Sequence, residues 1–179
     1  MDMKSEIKRL ARIEEGPYPF LSLYLNTKWD DEQQRERIRL FTKNQLKKGY
    51  DRLQGQEEWR KVFVEDQQRV EKYVEGLVRR VYNEEVNGIA IFSCSGLGTF
   101  LTYPSIIPYK NECFVYDLPM LQPFVRLSSQ YQNTLLVMVK TDSANLFEIS
   151  LEGVLGESSI ESYVPGRHDQ GGWAQMRYQ

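Results

Sequence analysis

The sequence predicts a mixed α/β protein in two parts. An N-terminal α/β domain with two long amphipathic helices comes first, followed by the opening β-strands of a second domain. Three observations predict this. Two stretches, roughly residues 30–53 and 64–85, repeat apolar residues at steps of three and four. Short runs rich in Val, Ile, Phe and Tyr recur on either side of them, bounded by Gly, Pro, Asn and Asp. The composition, 41% hydrophobic and 27% charged over 179 residues, allows a sizeable core without disulfide or metal staples.

The elements follow in order. KSEIKRLARIEE reads as a short helix with Ile7, Leu10 and Ile13 on one face, broken by Gly16-Pro17. FLSLYLNT has the length and aromatic content of a strand. It is apolar on both alternations apart from Ser22, so cover on both faces is expected. In the first long helix Ile38, Phe41, Leu46, Tyr50 and Leu53 mark the stripe. In the second it is Val70, Tyr73, Val74, Leu77, Val78, Val81 and Tyr82. The polar QGQEEWRK lies between them, and the mixed charges of DDEQQRERIR read as a solvated face. GIAIFSC, SGLG and TFLTYP make a hairpin by composition, and ECFVYDLP a further strand. MLQPFVRLSSQYQN is a short helical or irregular connector.

At Thr134 the pattern restarts. TLLVMVKT reads as a buried strand and DSA as a turn whose Asp142 bonds the backbone. NLFEISLEG is a half-buried strand, and GVLGESSIESYV a further extended piece. The composition change over 128–133 predicts domains at 1–128 and 134–179. A three-stranded sheet without a helix cannot bury its face alone, so the fold is expected to continue past Gln179.

Several function classes are disfavoured. A net charge of −2 argues against an overall basic nucleic-acid clamp, and no DNA partner is expected. The start, MDMKSEIKRL, lacks a signal peptide's apolar core, and the longest apolar run, TLLVMV, is strand-sized. A cytoplasmic protein without a membrane partner is expected. Cys94 and Cys113 lie in strand-like runs and read as core thiols. One histidine and two distant cysteines make no zinc ligand set, so neither metal nor cofactor is expected. SGLG lacks the Gly-Lys-Ser/Thr ending of a phosphate loop and precedes a strand, so it reads as a turn. Ser93 and Ser95 flank Cys94 but have no histidine nearby in sequence, which disfavours a serine or cysteine hydrolase. The adjacent carboxylates Glu14-Glu15 and Glu84-Glu85 carry no acid/base pairing signal.

The last stretch, GRHDQGGWAQMRYQ, has two readings. It can be a Gly-rich loop that ends a strand and starts a helix. It can also be a ligand loop. Gly171 and Gly172 admit backbone shapes closed to other residues, and free N–H groups at a helix start meet an oxyanion or phosphate. Arg167, His168 and Arg177 are placed to face RNA phosphates.

Here the sequence resembles the archaeo-eukaryotic peptide-chain release factors and Pelota, and most closely their bacterial relatives. LLVMVKTDSANLFEISLEGVLGE is similar to the opening hairpin of the family's middle domain. GGWAQMRY resembles its Gly-Gly-Gln loop, with Arg177 and Tyr178 at matching positions. FLSLYLNT, the two helices, GIAIFSC and DLPMLQPFVRL are similar to the N-terminal domain of the bacterial members.

The resemblance implies ribosome and tRNA partners and hydrolysis of the peptidyl-tRNA ester. Gly171 and Gly172 match the family's glycines. Trp173 stands where the family has glutamine, with Gln175 and Gln170 nearby. The resemblance thus assigns catalysis to Gly171, Gly172 and Gln175, and RNA binding to Arg167, His168, Arg177 and Trp173, whose indole can stack on a base. Trp173 also leaves open a non-catalytic ribosome hibernation or rescue factor, and the acidic pI a protein-interaction module without an RNA role. No family decoding motif is present in the N-terminal part, so stop-codon reading is not expected.

Overall fold

The structure, a computed structural model, describes residues 3–29, 31–79, 86–130, 133–151 and 153–161. Its described elements are α1 (Met3–Leu10), β1 (Phe20–Asn26), α2 (Glu32–Arg52), α3 (Glu57–Arg79), β2 (Gly88–Cys94), β3 (Thr99–Ser105), β4 (Glu112–Tyr116), α4 (Gln122–Gln130), β5 (Thr134–Val139), β6 (Ser143–Ser150) and β7 (Gly153–Glu161), with a 3₁₀ turn at Ser95–Leu97. The fold is mixed α/β, as the sequence predicts. The chain divides into two units, Met1–Gln132 with Ser150–Gly153, and Asn133–Ile149 with the segment from Val154 onward.

The first unit is built on an antiparallel sheet ordered β3-β2-β1-β4. Alternation along β1 splits its side chains between two cores. Leu21, Leu23 and Leu25 face α2 and α3 together with Ile89 and Ile91 of β2. Phe20 and Tyr24 face the opposite core with Ala90, Phe92 and Cys94, and there Leu10 of α1 and Phe124 of α4 complete the layer. The central strands β1 and β2 are therefore covered on both sides, and this is why FLSLYL and GIAIFSC show no polar face.

Two polar residues inside β1 fasten the chain over the second core. The Tyr24 hydroxyl donates to the Met120 carbonyl at 2.5 Å, and the Ser22 hydroxyl accepts from the Met120 N–H at 3.0 Å. Met120 is thereby fixed two residues before α4 begins. On the same side Tyr103 donates to Glu6 at 2.5 Å, which ties α1 to β3.

Helix boundaries follow local chemistry. Asp31 caps α2, accepting the Gln34 N–H at 2.6 Å, and Arg37 beside it holds its carboxyl below the usual range. α3 starts at Glu57, seven residues before the start that the apolar pattern predicts. Gly55, at φ 87°, turns the chain after α2. Glu57 and Glu58 then suit the positive end of the helix dipole, and Phe63 adds a core position ahead of Val70. The connector 120–133 contains α4.

Gly88 opens β2 against the loop after β3. A Cβ there would lie 2.5 Å from the Ile107 carbonyl oxygen and 3.0 Å from the Tyr109 N, so the backbone itself would have to shift. Gly88→Ala is expected to lower unfolding stability by about 1–3 kcal/mol at unchanged m-value in chemical denaturation. A loss below about 0.5 kcal/mol would contradict this packing.

In the second unit the strands lie in the order β5-β6-β7, with β5 and β6 antiparallel from Thr134↔Ile149 to Val139↔Ala144. The connecting turn closes through Lys140 N–H to Ser143 C=O at 2.7 Å. Asp142 accepts the Ser143 hydroxyl at 3.1 Å. β5, expected to be buried, is exposed at all six residues. Among the described residues the second unit has no helix to cover it.

Candidate functional site

The described part of the first unit contains one buried polar cluster. Asp66 interrupts the apolar stripe Phe63, Val70, Val74 and Val78 of α3 and is fully buried. The Ser93 hydroxyl donates to its Oδ1 at 2.5 Å, and the Ser95 N–H donates to Oδ2 at 3.0 Å. The Ser95 hydroxyl lies 3.0 Å from Oδ2 and 2.9 Å from the Val62 carbonyl. Burial pushes the Asp66 carboxyl up, against the opposing pull of these hydrogen bonds and of Arg69.

The cluster anchors α3 to the turn after β2. Both hydroxyls are committed to Asp66 and Val62, and Ser93 is wholly buried, so neither is presented as a nucleophile. Cys94, between them in sequence, points into the opposite core, where burial raises its thiol. Cys113 is partly buried and its thiol is pushed up to about 12, again by burial. Neither thiol is activated as a reactive cysteine requires. Asp66 itself escapes a periodicity reading because a carboxylate at a core step looks like a break in the stripe.

A cleft of about 340 Å³ opens beside α1 and the β2–β3 turn, lined by Arg9, Leu10, Ile13, Gly98, Thr99, Phe100 and Leu101. Its one charged group, Arg9, is paired with Glu6 at 2.9 Å. No convergent set of acids, bases or nucleophiles lines it. Among the described residues no cluster of three or more His, Cys, Asp or Glu side chains is placed to hold a metal ion.

The residues that the sequence singles out, Arg167, His168, Gly171, Gly172, Trp173, Gln175 and Arg177, all lie outside the described residues. The structure describes the sheet that precedes them. β7 ends at Glu161, six residues before Arg167.

The described architecture is thus an antiparallel sheet with helices on both faces, followed in sequence by a smaller three-stranded sheet. Comparison with known proteins gives this class a place. Residues 119–179 match the family model "Bacterial archaeo-eukaryotic release factor family 10". The match concerns the last third of the chain, which is similar to that family. The matched segment contains all seven singled-out residues. A solved structure described as "Archaeal protein" shares the fold, with a TM-score of 0.50 at 14% identity over 92% of this chain. The chain spans 45% of the length of that structure. No match was found among curated proteins. No helix among the described residues is long and apolar enough to cross a membrane.

Proposed function

We propose that this protein is a cytoplasmic ribosome-binding translation factor that brings its 167–177 segment to tRNA and promotes hydrolysis of peptidyl-tRNA. The observation that carries the reading is the family match over 119–179, which includes the Gly171-Gly172 pair and the basic residues around it. In this reading Gly171 and Gly172 allow the backbone to approach the ester. Arg167, His168 and Arg177 meet RNA phosphates, Trp173 stacks on a base, and Gln175 supplies the amide that orients the attacking water. The proposed division of labour sets residues 1–128 apart as a separate domain from the 134–179 segment that carries the loop.

Gln175→Ala is expected to slow peptide release from ribosome–peptidyl-tRNA complexes on the order of 100-fold while ribosome co-sedimentation is kept. Wild-type protein that neither co-sediments with ribosomes nor releases peptide excludes the reading. One feature favours a second one: by the resemblance, Trp173 stands where the family's loop has glutamine. Binding without release, unaffected by Gln175→Ala, identifies a non-catalytic hibernation or rescue factor instead.

A further inference from the structure

α2 carries a charge out of keeping with the rest of the chain. From Arg35 to Arg52 it has seven arginines and lysines and two carboxylates, Glu36 and Asp51. That is a net of +5 in a chain whose total is −2. The cations fall into two sets along the helix.

In the first half each is engaged. Arg35 lies 5.5 Å from the Trp29 ring centroid and donates to the Val78 carbonyl at 3.4 Å. Arg37 pairs with Asp31 at 3.0 Å, and Arg39 with Glu75 at 2.7 Å and with Glu36. In the second half Lys43, Lys47, Lys48 and Arg52 are all exposed, and none forms an ion pair with a described residue.

Ion pairs within one turn are common elsewhere on the helices. Arg39–Glu36, Arg60–Glu57, Lys61–Glu58, Arg69–Glu65 and Arg79–Glu75 are all i,i+3 or i,i+4 pairs of opposite sign. Lys43–Lys47 and Lys48–Arg52 are i,i+4 pairs of like sign, which weaken a helix. They form two rows on the solvent side, with Asn44 and Asp51 between them, over roughly 14 Å of helix. The opposite face of α2, with Ile38, Leu46 and Leu53, is packed into the core, and Leu40 is the one large apolar side chain that the helix exposes, too little to insert into a bilayer. A ridge of exposed cations outside any ion pair, with little apolar surface beside it, fits a polyanion that stays outside the protein.

We propose that the second half of α2 is an RNA-backbone-binding ridge, in which Lys43, Lys47, Lys48 and Arg52 bind phosphates and Asn44 adds a hydrogen-bonding amide. The choice of RNA rests on the ribosome-binding reading above; the charge arrangement does not. The ridge is a contact separate from the 167–177 segment and gives the first unit its own hold on RNA. It reads charge and not sequence, because phosphate contacts position a protein without specifying bases.

The test uses the full chain and a variant with Lys43, Lys47, Lys48 and Arg52 all changed to Gln, which keeps helix propensity. Circular dichroism and thermal melting establish that it folds. Two double variants, Lys43→Gln/Lys47→Gln and Lys48→Gln/Arg52→Gln, serve the same purpose if the fourfold one does not fold. Binding to purified bacterial ribosomes and to a fluorescent RNA hairpin is measured as a function of salt. For the fourfold variant the slope of log K against log salt is expected to drop by about 3–4, and for each double variant by about 2. Lys61→Gln, at a cation already paired with Glu58, is expected to change neither.

Unchanged slopes in folded variants overturn the ridge and leave the ribosome reading intact. Wild-type protein that ignores ribosomes but binds the hairpin through these four residues sinks the ribosome reading and keeps the ridge. Binding to neither overturns both. Binding to anionic phospholipid vesicles in place of RNA also overturns the ridge.

Discussion

Replacing Asp66 by alanine is expected to lower unfolding stability by about 3 kcal/mol, which for a chain of this size moves the thermal midpoint by roughly 10 °C. The carboxylate is the shared acceptor for the Ser93 hydroxyl and for the N–H of Ser95, and it also faces the Ser95 hydroxyl. Its removal leaves the Ser93 hydroxyl buried without its acceptor and loosens α3 from the turn after β2. Asp66→Asn keeps an acceptor and is expected to lose less than half as much. The charge has a separate signature. Burial raises the native pKa of Asp66, so the folded state holds its proton more tightly than the unfolded chain does. The stability difference between wild type and Asp66→Asn is therefore greatest below about pH 4 and falls as pH rises through the raised native value. Equilibrium unfolding of the three proteins from acid to neutral pH measures both effects. An alanine variant within about 0.5 kcal/mol of wild type would show that the cluster is no anchor.

Phe92→Ala is expected to cost about 3–5 kcal/mol. The ring is fully buried at the centre of the second core. Tyr24, Tyr103 and Phe124 surround it at centroid distances of 5.9, 6.0 and 5.7 Å, all edge-on. Such arrangements add to the area term, and the contacts join β1, β2, β3 and α4 at one point. Truncation leaves a cavity that strands fixed by backbone ladders cannot collapse to fill. Phe92→Leu, which keeps most of the volume, is expected to cost about half as much. Denaturant midpoints at unchanged m-value give the comparison. A loss below about 1 kcal/mol for Phe92→Ala would mean that these four rings do not pack as described.

Periodicity exposed most of the first unit in the sequence itself. Steps of three and four in α2, and the doubly apolar run FLSLYL, report burial on one side of a helix and on two sides of a strand. The α3 start was not legible, because its first two turns, Glu57–Val64, follow a polar run and join the core through Trp59 and Phe63 alone. The exposure of β5 was not legible either. TLLVMV is as apolar as a core strand, and only a packing layer decides whether it is buried. At the candidate loop the residue pattern and the family match are the whole of the support, since residues 167–177 lie outside those the structure describes.

By itself the sequence determined the mixed α/β class, the order of the strands and helices, and the resemblance of its last third to release factors. These are local properties, carried by spacing along the chain and by short motifs. Only the tertiary structure decided that Asp66 meets Ser93 and Ser95 across 27 and 29 positions, and that Ser22 and Tyr24 hold Met120. It also decided which cations of α2 form ion pairs with α3. The reason is physical. Hydrogen bonds and ion pairs depend on groups that meet only after strands and helices have stacked, and a one-dimensional pattern does not carry that geometry.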